Sequence, residues 1–160
     1  MKKMKIYLDT STVSYLDAHD CPDKMQDTHK LWEEIKANKF EVFLSNTTLE
    51  ELERSPEPKR GIFKAYLGDI VYTAIPNSAE IDEVARMIIN MGILKPKSHD
   101  DCMHIASAVV AECDVIVSWN FRHMVNVKTV RGVRAISISQ GYKNIDIVAP
   151  PSVLTENEEE

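Results

Sequence analysis

Acids recur along this chain just beyond its apolar runs. Asp9 follows Met4–Leu8, and Glu50 and Glu51 follow Glu41–Leu44. Asp100 and Asp101 open the stretch that leads into Asp114–Ser118, and Asn120 stands just past it. If the topology brings these positions to one point, their hard oxygen ligands suit Mg²⁺ or Mn²⁺ rather than zinc. An ion held there lowers the pKa of a bound water and neutralises charge developing on a phosphate. It also lets the acids stand close, since carboxylates crowded without a cation raise one another's pKa.

Each residue also has a local explanation. Asp9 can cap a helix starting near Ser11, and Glu50 sits three residues after Thr47, the spacing of a capping box. Asp101 stands in the same relation to Ser98, where a first-turn acid also favours the helix dipole, and Asn120 can cap a short turn. Capping does not explain why acids follow three successive strand-to-helix junctions.

The elements that must position them read as follows. Met4–Leu8, Glu41–Leu44, Asp69–Ile75, Asp114–Ser118 and Ile145–Val148 are strand-like, with helical patterns between them. Helices are expected over about 23–38, from about Thr48 to the break at Ser55-Pro56-Glu57-Pro58, and over 59–67. Three more are expected over 77–92, capped by Asn77 with Glu80, over 98–112, and over 127–140. Strands alternating with helices imply an α/β fold with a parallel sheet, whose ligands bind beyond the carboxyl ends of the strands.

The 160 residues suit one domain, taken as 1–150, followed by an acidic tail over 151–160 expected to be disordered. Hydrophobic residues make up 44% and charged residues 28%, the balance of a globule with a core. No apolar run approaches the ~18 residues of a membrane span, and Asp9 leaves no room for a signal peptide's apolar region. The expected compartment is the cytoplasm. Cys21, Cys102 and Cys113 are too scattered for a zinc knuckle or a disulfide framework. The net charge is −6, but the tail holds four acids, and without them 21 acids face 19 bases. Setting aside the five candidate-site acids as well leaves 16 against 19, so a nucleic acid partner is not excluded.

Four segments in order are Tyr7-Leu8-Asp9-Thr10-Ser11, Ser45-x-x-Thr48-Leu49-Glu50-Glu51-Leu52, Asp101-Cys102-Met103-His104-Ile105-Ala106-Ser107-Ala108 and Val117-Ser118-Trp119-Asn120-Phe121-Arg122. Together they resemble the PIN-domain family, especially its VapC-like toxins of prokaryotic toxin–antitoxin pairs, over about residues 4 to 150. The resemblance implies a three-layer fold with a five-strand parallel sheet and a ribonuclease dependent on Mg²⁺ or Mn²⁺. It also implies a homodimer and a small antitoxin that blocks the site. By position, Asp9, Glu51 and Asp101 match the family's acids and Ser11 the nearby hydroxyl, with Glu51 matching better than Glu50. His104 lies one helical turn beyond Asp101, and such a histidine packs beside the site more often than it ligates. Asn120 departs from the pattern, because many members carry aspartate there. It leaves a second metal and full activity open.

RNA also needs positive charge. Val115 to Ile145 holds no acid, while Arg122, Lys128, Arg131 and Arg134 accumulate, the last three recurring every three residues on one helix face. Such a stripe suits phosphates, or is simply a solvated face. Trp119 can stack on a base or belong to the core. Two other readings exist. His99-Asp100, with His29 upstream, resembles the motif of HD-type phosphohydrolases, an all-helical fold that the strand-like runs oppose. Asn120 raises a PIN-like domain that binds RNA or protein without cutting.

Overall fold

The computed structural model describes residues 2–155. Five strands, β1 (Met4–Leu8), β2 (Phe40–Ser45), β3 (Thr73–Ile75), β4 (Val115–Val117) and β5 (Asp146–Val148), form one sheet in the order β3-β2-β1-β4-β5. Every pairing is parallel. Seven helices accompany it: α1 (Thr10–Ser14), α2 (Pro22–Lys36), α3 (Asn46–Glu53), α4 (Lys59–Gly68), α5 (Ala79–Asn90), α6 (His99–Val110) and α7 (Val127–Gln140).

Both faces of the sheet are covered, which is why β1 reads as a continuous apolar run. Ile6, Tyr7 and Leu8 are all fully buried, and their alternation divides them between two cores. Tyr7, with Phe43, Ile116 and Ile147, meets Ile81 and Ile88 of α5, Ile105 and Val109 of α6, and Val133 of α7. Ile6 and Leu8, with Val42, Leu44 and Val117, meet Leu31 and Trp32 of α2, Leu52 of α3 and Phe63 of α4. Burying each such side chain contributes roughly 1.5–3 kcal/mol. The expected three-layer α/β architecture with five parallel strands is what the chain adopts. That sheet is incompatible with the all-helical HD-type fold. His29 bonds the Leu16 carbonyl and His99 stays exposed beside Asp100.

Several local expectations are corrected. The third strand is only Thr73–Ile75, because Asp69 and Ile70 close the last turn of α4. Ser78, not Asn77, caps α5 by accepting from the Ile81 amide, and Asn77 bonds Asp82 instead. Ser45 caps α3 through the Thr48 amide, so Thr47 and Glu50 form no capping box. Ser98 makes no side-chain cap to α6. Residues 151–155, expected to belong to a disordered tail, are held in place: Val153 and Leu154 are buried against the α2 side, and Glu34 of α2 accepts from the Thr155 amide at 3.1 Å. Residues 156–160 of that tail lie outside the described residues. Burial pushes the Cys102 thiol up to about 11 and the Cys113 thiol up to about 12, so both stay protonated. No helix among the described residues is long and apolar enough to cross a membrane.

Candidate active site

Strand order turns about β1, whose neighbours β2 and β4 lead to opposite edges of the sheet. The carboxyl ends of β1 and β4 therefore flank a switch point, where open α/β sheets place their ligands. Asp9 is the first residue beyond β1, in extended backbone, and it caps α1 through the Thr12 amide at 3.1 Å. Ser11 Oγ donates to the same carboxylate oxygen at 2.7 Å, while Ser118 Oγ, just past β4, donates to the other. The carboxylate is 3% exposed, and these donors compensate its lost hydration. Both hydroxyls also accept amides from the turn after β4, Ser11 from Trp119 and Ser118 from Asn120, each at 2.9 Å. Cap and site are thus one arrangement.

Glu51, on the second turn of α3, accepts from Thr10 Oγ1 at 3.0 Å and meets His104 Nε2 at 2.6 Å. The other ring nitrogen of His104 lies 2.7 Å from the Tyr7 hydroxyl, which lies 2.6 Å from Ser45 Oγ. Burial opposes a charge on His104. The Glu51 hydrogen bond and the negative charges of Asp9, Glu51 and Asp101 outweigh it and hold the imidazole above its ordinary pKa. Burial likewise opposes the Glu51 charge, yet His104, Thr10 and Arg54 leave its carboxyl below the usual range. Burial raises the Tyr7 phenol, which stays protonated. Glu50 points away, exposed and 3.8 Å from Arg54.

Asp101 opens α6 and meets His123 Nδ1 at 2.9 Å. Asn120 Nδ2 donates to its other oxygen at 3.4 Å, while Asn120 Oδ1 accepts the His123 amide at 3.0 Å. Asn120 is therefore both a turn cap and a neighbour of Asp101. Asp100 is exposed beside His99.

Asp9 thus joins Ser11, and Asp101 joins Asn120, while Glu51 reaches the Asp9 loop through Thr10. All three carboxylates act on the charge of His104. Among the described residues, no three His, Cys, Asp or Glu side chains are grouped closely enough to hold an ion. The donors nevertheless fit Mg²⁺ or Mn²⁺ in kind, being carboxylates, hydroxyls and an amide at one end of the sheet. Asp9, Glu51 and Asp101 could hold such an ion once Glu51 and Asp101 turn from their histidines.

Ser118 and His123 were not singled out in the sequence. Ser118 occupies on β4 the position that Asp9 occupies on β1, one residue past the strand. Asn120-x-x-His123 has the spacing of a side-chain-capped turn. Trp119 is buried, its indole N–H bonded to Thr28, so it serves the core, and Phe121 is the exposed ring beside it. Arg122, Lys128, Arg131 and Arg134 are exposed, and Arg134 lies 3.6 Å from Asp146.

No curated protein matches the sequence. One chain of the crystal structure of VapBC2 from Rickettsia felis, bound to a DNA fragment from their promoter, is similar in fold, with a TM-score of 0.58 and 15% identity. The similarity covers 91% of this chain and 98% of that one. A sequence profile described as PIN domain matches residues 5–122, from the start of β1 past Asn120. With the sheet order and the acids beyond its strands, that match settles the family: the chain belongs to the PIN-domain family, a family of nucleases.

Proposed function

We propose that this protein is a metal-dependent endoribonuclease that cuts RNA phosphodiesters as the toxin of a toxin–antitoxin pair. The observation that carries the proposal is the convergence of Asp9, just past β1, Glu51 of α3 and Asp101 of α6 on the charge of His104. Carboxylates whose charges hold a buried imidazole above its ordinary pKa are ones that a divalent cation would relieve. Mg²⁺ or Mn²⁺, when bound, supplies a more acidic water and neutralises charge on the scissile phosphate. Asp9, Glu51 and Asp101 would hold the ion, with Asn120 beside it. Ser11 and Ser118 fix the Asp9 carboxylate, His104 and Thr10 aim Glu51, and His123 aims Asp101. Arg122, Lys128 and Arg131 offer positive charge to the RNA strand. VapBC2 is a complex, and a chain of the same fold is a natural target for a small antitoxin, which would block the site, and for homodimerisation.

One observation favours a second reading. Each carboxylate is already engaged by protein donors, and the Asn120 side chain is committed to its turn. A domain that binds RNA or a protein without cutting would keep that arrangement. Purified full-length protein incubated with single-stranded RNA, with and without Mg²⁺ or Mn²⁺, decides between them. Cleavage that needs the ion and disappears in Asp9→Asn supports the nuclease. RNA that is bound but stays intact with either ion supports the binding domain.

A further inference from the structure

His123, the partner of Asp101, also lines a pocket of about 280 Å³. Lys95, Lys97, Arg122 and Lys128 line it together with Ser98. None of the residues lining it is acidic. Among the described residues, none of the four cations pairs with a carboxylate, whereas Lys36, Lys39, Arg54, Lys59, Arg60, Arg134 and Lys143 all do. Four unneutralised cations around one concavity repel each other, and an anion bound among them relieves that repulsion. The volume is slightly below the ~300 Å³ at which drug-sized sites begin, room for a phosphate and its sugar. His123 ties the pocket to the candidate active site, because its ring lines the wall and its Nδ1 holds Asp101.

We infer that this pocket binds a phosphate group, and that in the working complex it takes a backbone phosphate of the RNA strand flanking the site. The inference rests on the ribonuclease reading for its source of phosphate, and not for the pocket itself. Arg122 and Lys128 stood out in the sequence as candidates for RNA contact. Lys95 and Lys97 did not, because they lie well upstream of both, before α6. The fold brings the two groups together and makes a site from separate surface charges.

The test uses the full chain and the variant Lys95→Gln/Lys97→Gln, with Lys30→Gln/Lys64→Gln as a charge-matched control at exposed positions on α2 and α4. Binding of a short single-stranded RNA is measured in chelator across a range of salt. Inorganic phosphate is titrated separately while the Ser98 and Thr129 amides are followed by NMR. Two lost phosphate contacts flatten the log–log salt slope by roughly 1.4 and weaken RNA binding roughly 25-fold near 0.1 M salt, and the control should match the parent. If RNA binding is unchanged but phosphate saturates those amides in the parent and not in the variant, the pocket serves a free phosphate compound. If the variant binds both ligands as the parent does, the phosphate site is overturned. Cleavage by the parent, read separately, shows whether the ribonuclease reading has failed on its own.

Discussion

Glu51 Oε1 lies 2.6 Å from His104 Nε2, and the pair shifts its two partners in opposite directions. The carboxyl is held below its ordinary pKa and the imidazole above. With both charged, His104 donates from both nitrogens, to Glu51 and to the Tyr7 hydroxyl, and the Tyr7 O–H then donates to Ser45 Oγ. The charge of Glu51 is thereby linked to the Tyr7 hydroxyl of β1 and to Ser45, the cap of α3.

This pairing gives stability a pH window. The Glu51 contribution is present above the ordinary carboxyl pKa of ~4.3 and is lost as pH falls through the lowered folded value. The His104 contribution is complete below the ordinary ~6.5 and is lost as pH rises through the raised folded value. Melting temperatures of the parent and of Glu51→Gln, compared in chelator, should differ most between the ordinary carboxyl and imidazole values of ~4.3 and ~6.5 and converge as pH rises through the raised value of His104. A gap that keeps widening toward alkaline pH would show that the pair is not charged in the folded protein.

The acids should separate by role. Asp9→Asn and Asp101→Asn should abolish cleavage while circular dichroism stays that of the parent. Asp9→Asn keeps an oxygen for the Thr12 amide but turns an amide group toward Ser118, at a cost of about 1 kcal/mol. Glu50 is no cap, so Glu50→Gln loses only an exposed pairing with Arg54, a few tenths of a kcal/mol, and little activity. Glu51→Gln should lose activity. The opposite result for the two glutamates would move the second acid of the site to Glu50.

Much of this was legible in residue types. β1 and α7 have the bounds their patterns suggest, because a buried apolar run and an amphipathic stripe are strong local signals. Asp9 could be picked out because it falls just past β1, whereas Glu51 and Asp101 were preferred to Glu50 and Asp100 by their places in the segments that resemble the family. His104 was legible as a neighbour of the site, one turn beyond Asp101, but its pairing with Glu51, and the pairing of His123 with Asp101, were not. His104 and His123 lie on other elements, 53 residues from Glu51 and 22 from Asp101, and only the packing of α6 and of the turn after β4 brings each pair together. Glu50 was misread for a related reason. Its distance from Thr47 is right for a capping box, but β2 runs on to Ser45, which takes the cap two residues earlier.

Gly132 sits where α7 presses on the segment before α6. A Cβ there would meet Ile93 Cγ1 at 2.5 Å and Cδ1 at 2.6 Å, too close without movement of the helix or the isoleucine. Overpacking of this kind costs ~1–3 kcal/mol, and the better helix propensity of alanine returns about 1. Gly132→Ala should therefore lower the melting temperature by about 2–4 °C. In an Ile93→Ala background the same change should be neutral or stabilising, because the obstruction is gone. Equal effects in both backgrounds would exclude the Ile93 contact as the cause.

Asn120 is where the chain departs from the pattern of its family, and its two contacts define what each replacement should do. Its Oδ1 holds the His123 amide, and its Nδ2 faces Asp101 at 3.4 Å. Asn120→Ala removes both, costing about 1 kcal/mol, and should reduce turnover because His123 and Asp101 lose a common support. Asn120→Asp keeps an acceptor for the amide but sets a second carboxylate against Asp101. Without a cation the two charges repel, so this variant should melt below the parent in chelator. With Mg²⁺ or Mn²⁺ the added charge becomes a further hard ligand, and the ion should raise the melting temperature more than it does for the parent. Thermal melts with and without the ion, beside single-turnover cleavage, read both variants. If Asn120→Asp gains no more from the ion than the parent and Asn120→Ala cleaves like the parent, Asn120 is only a turn residue, and the site rests on three acids.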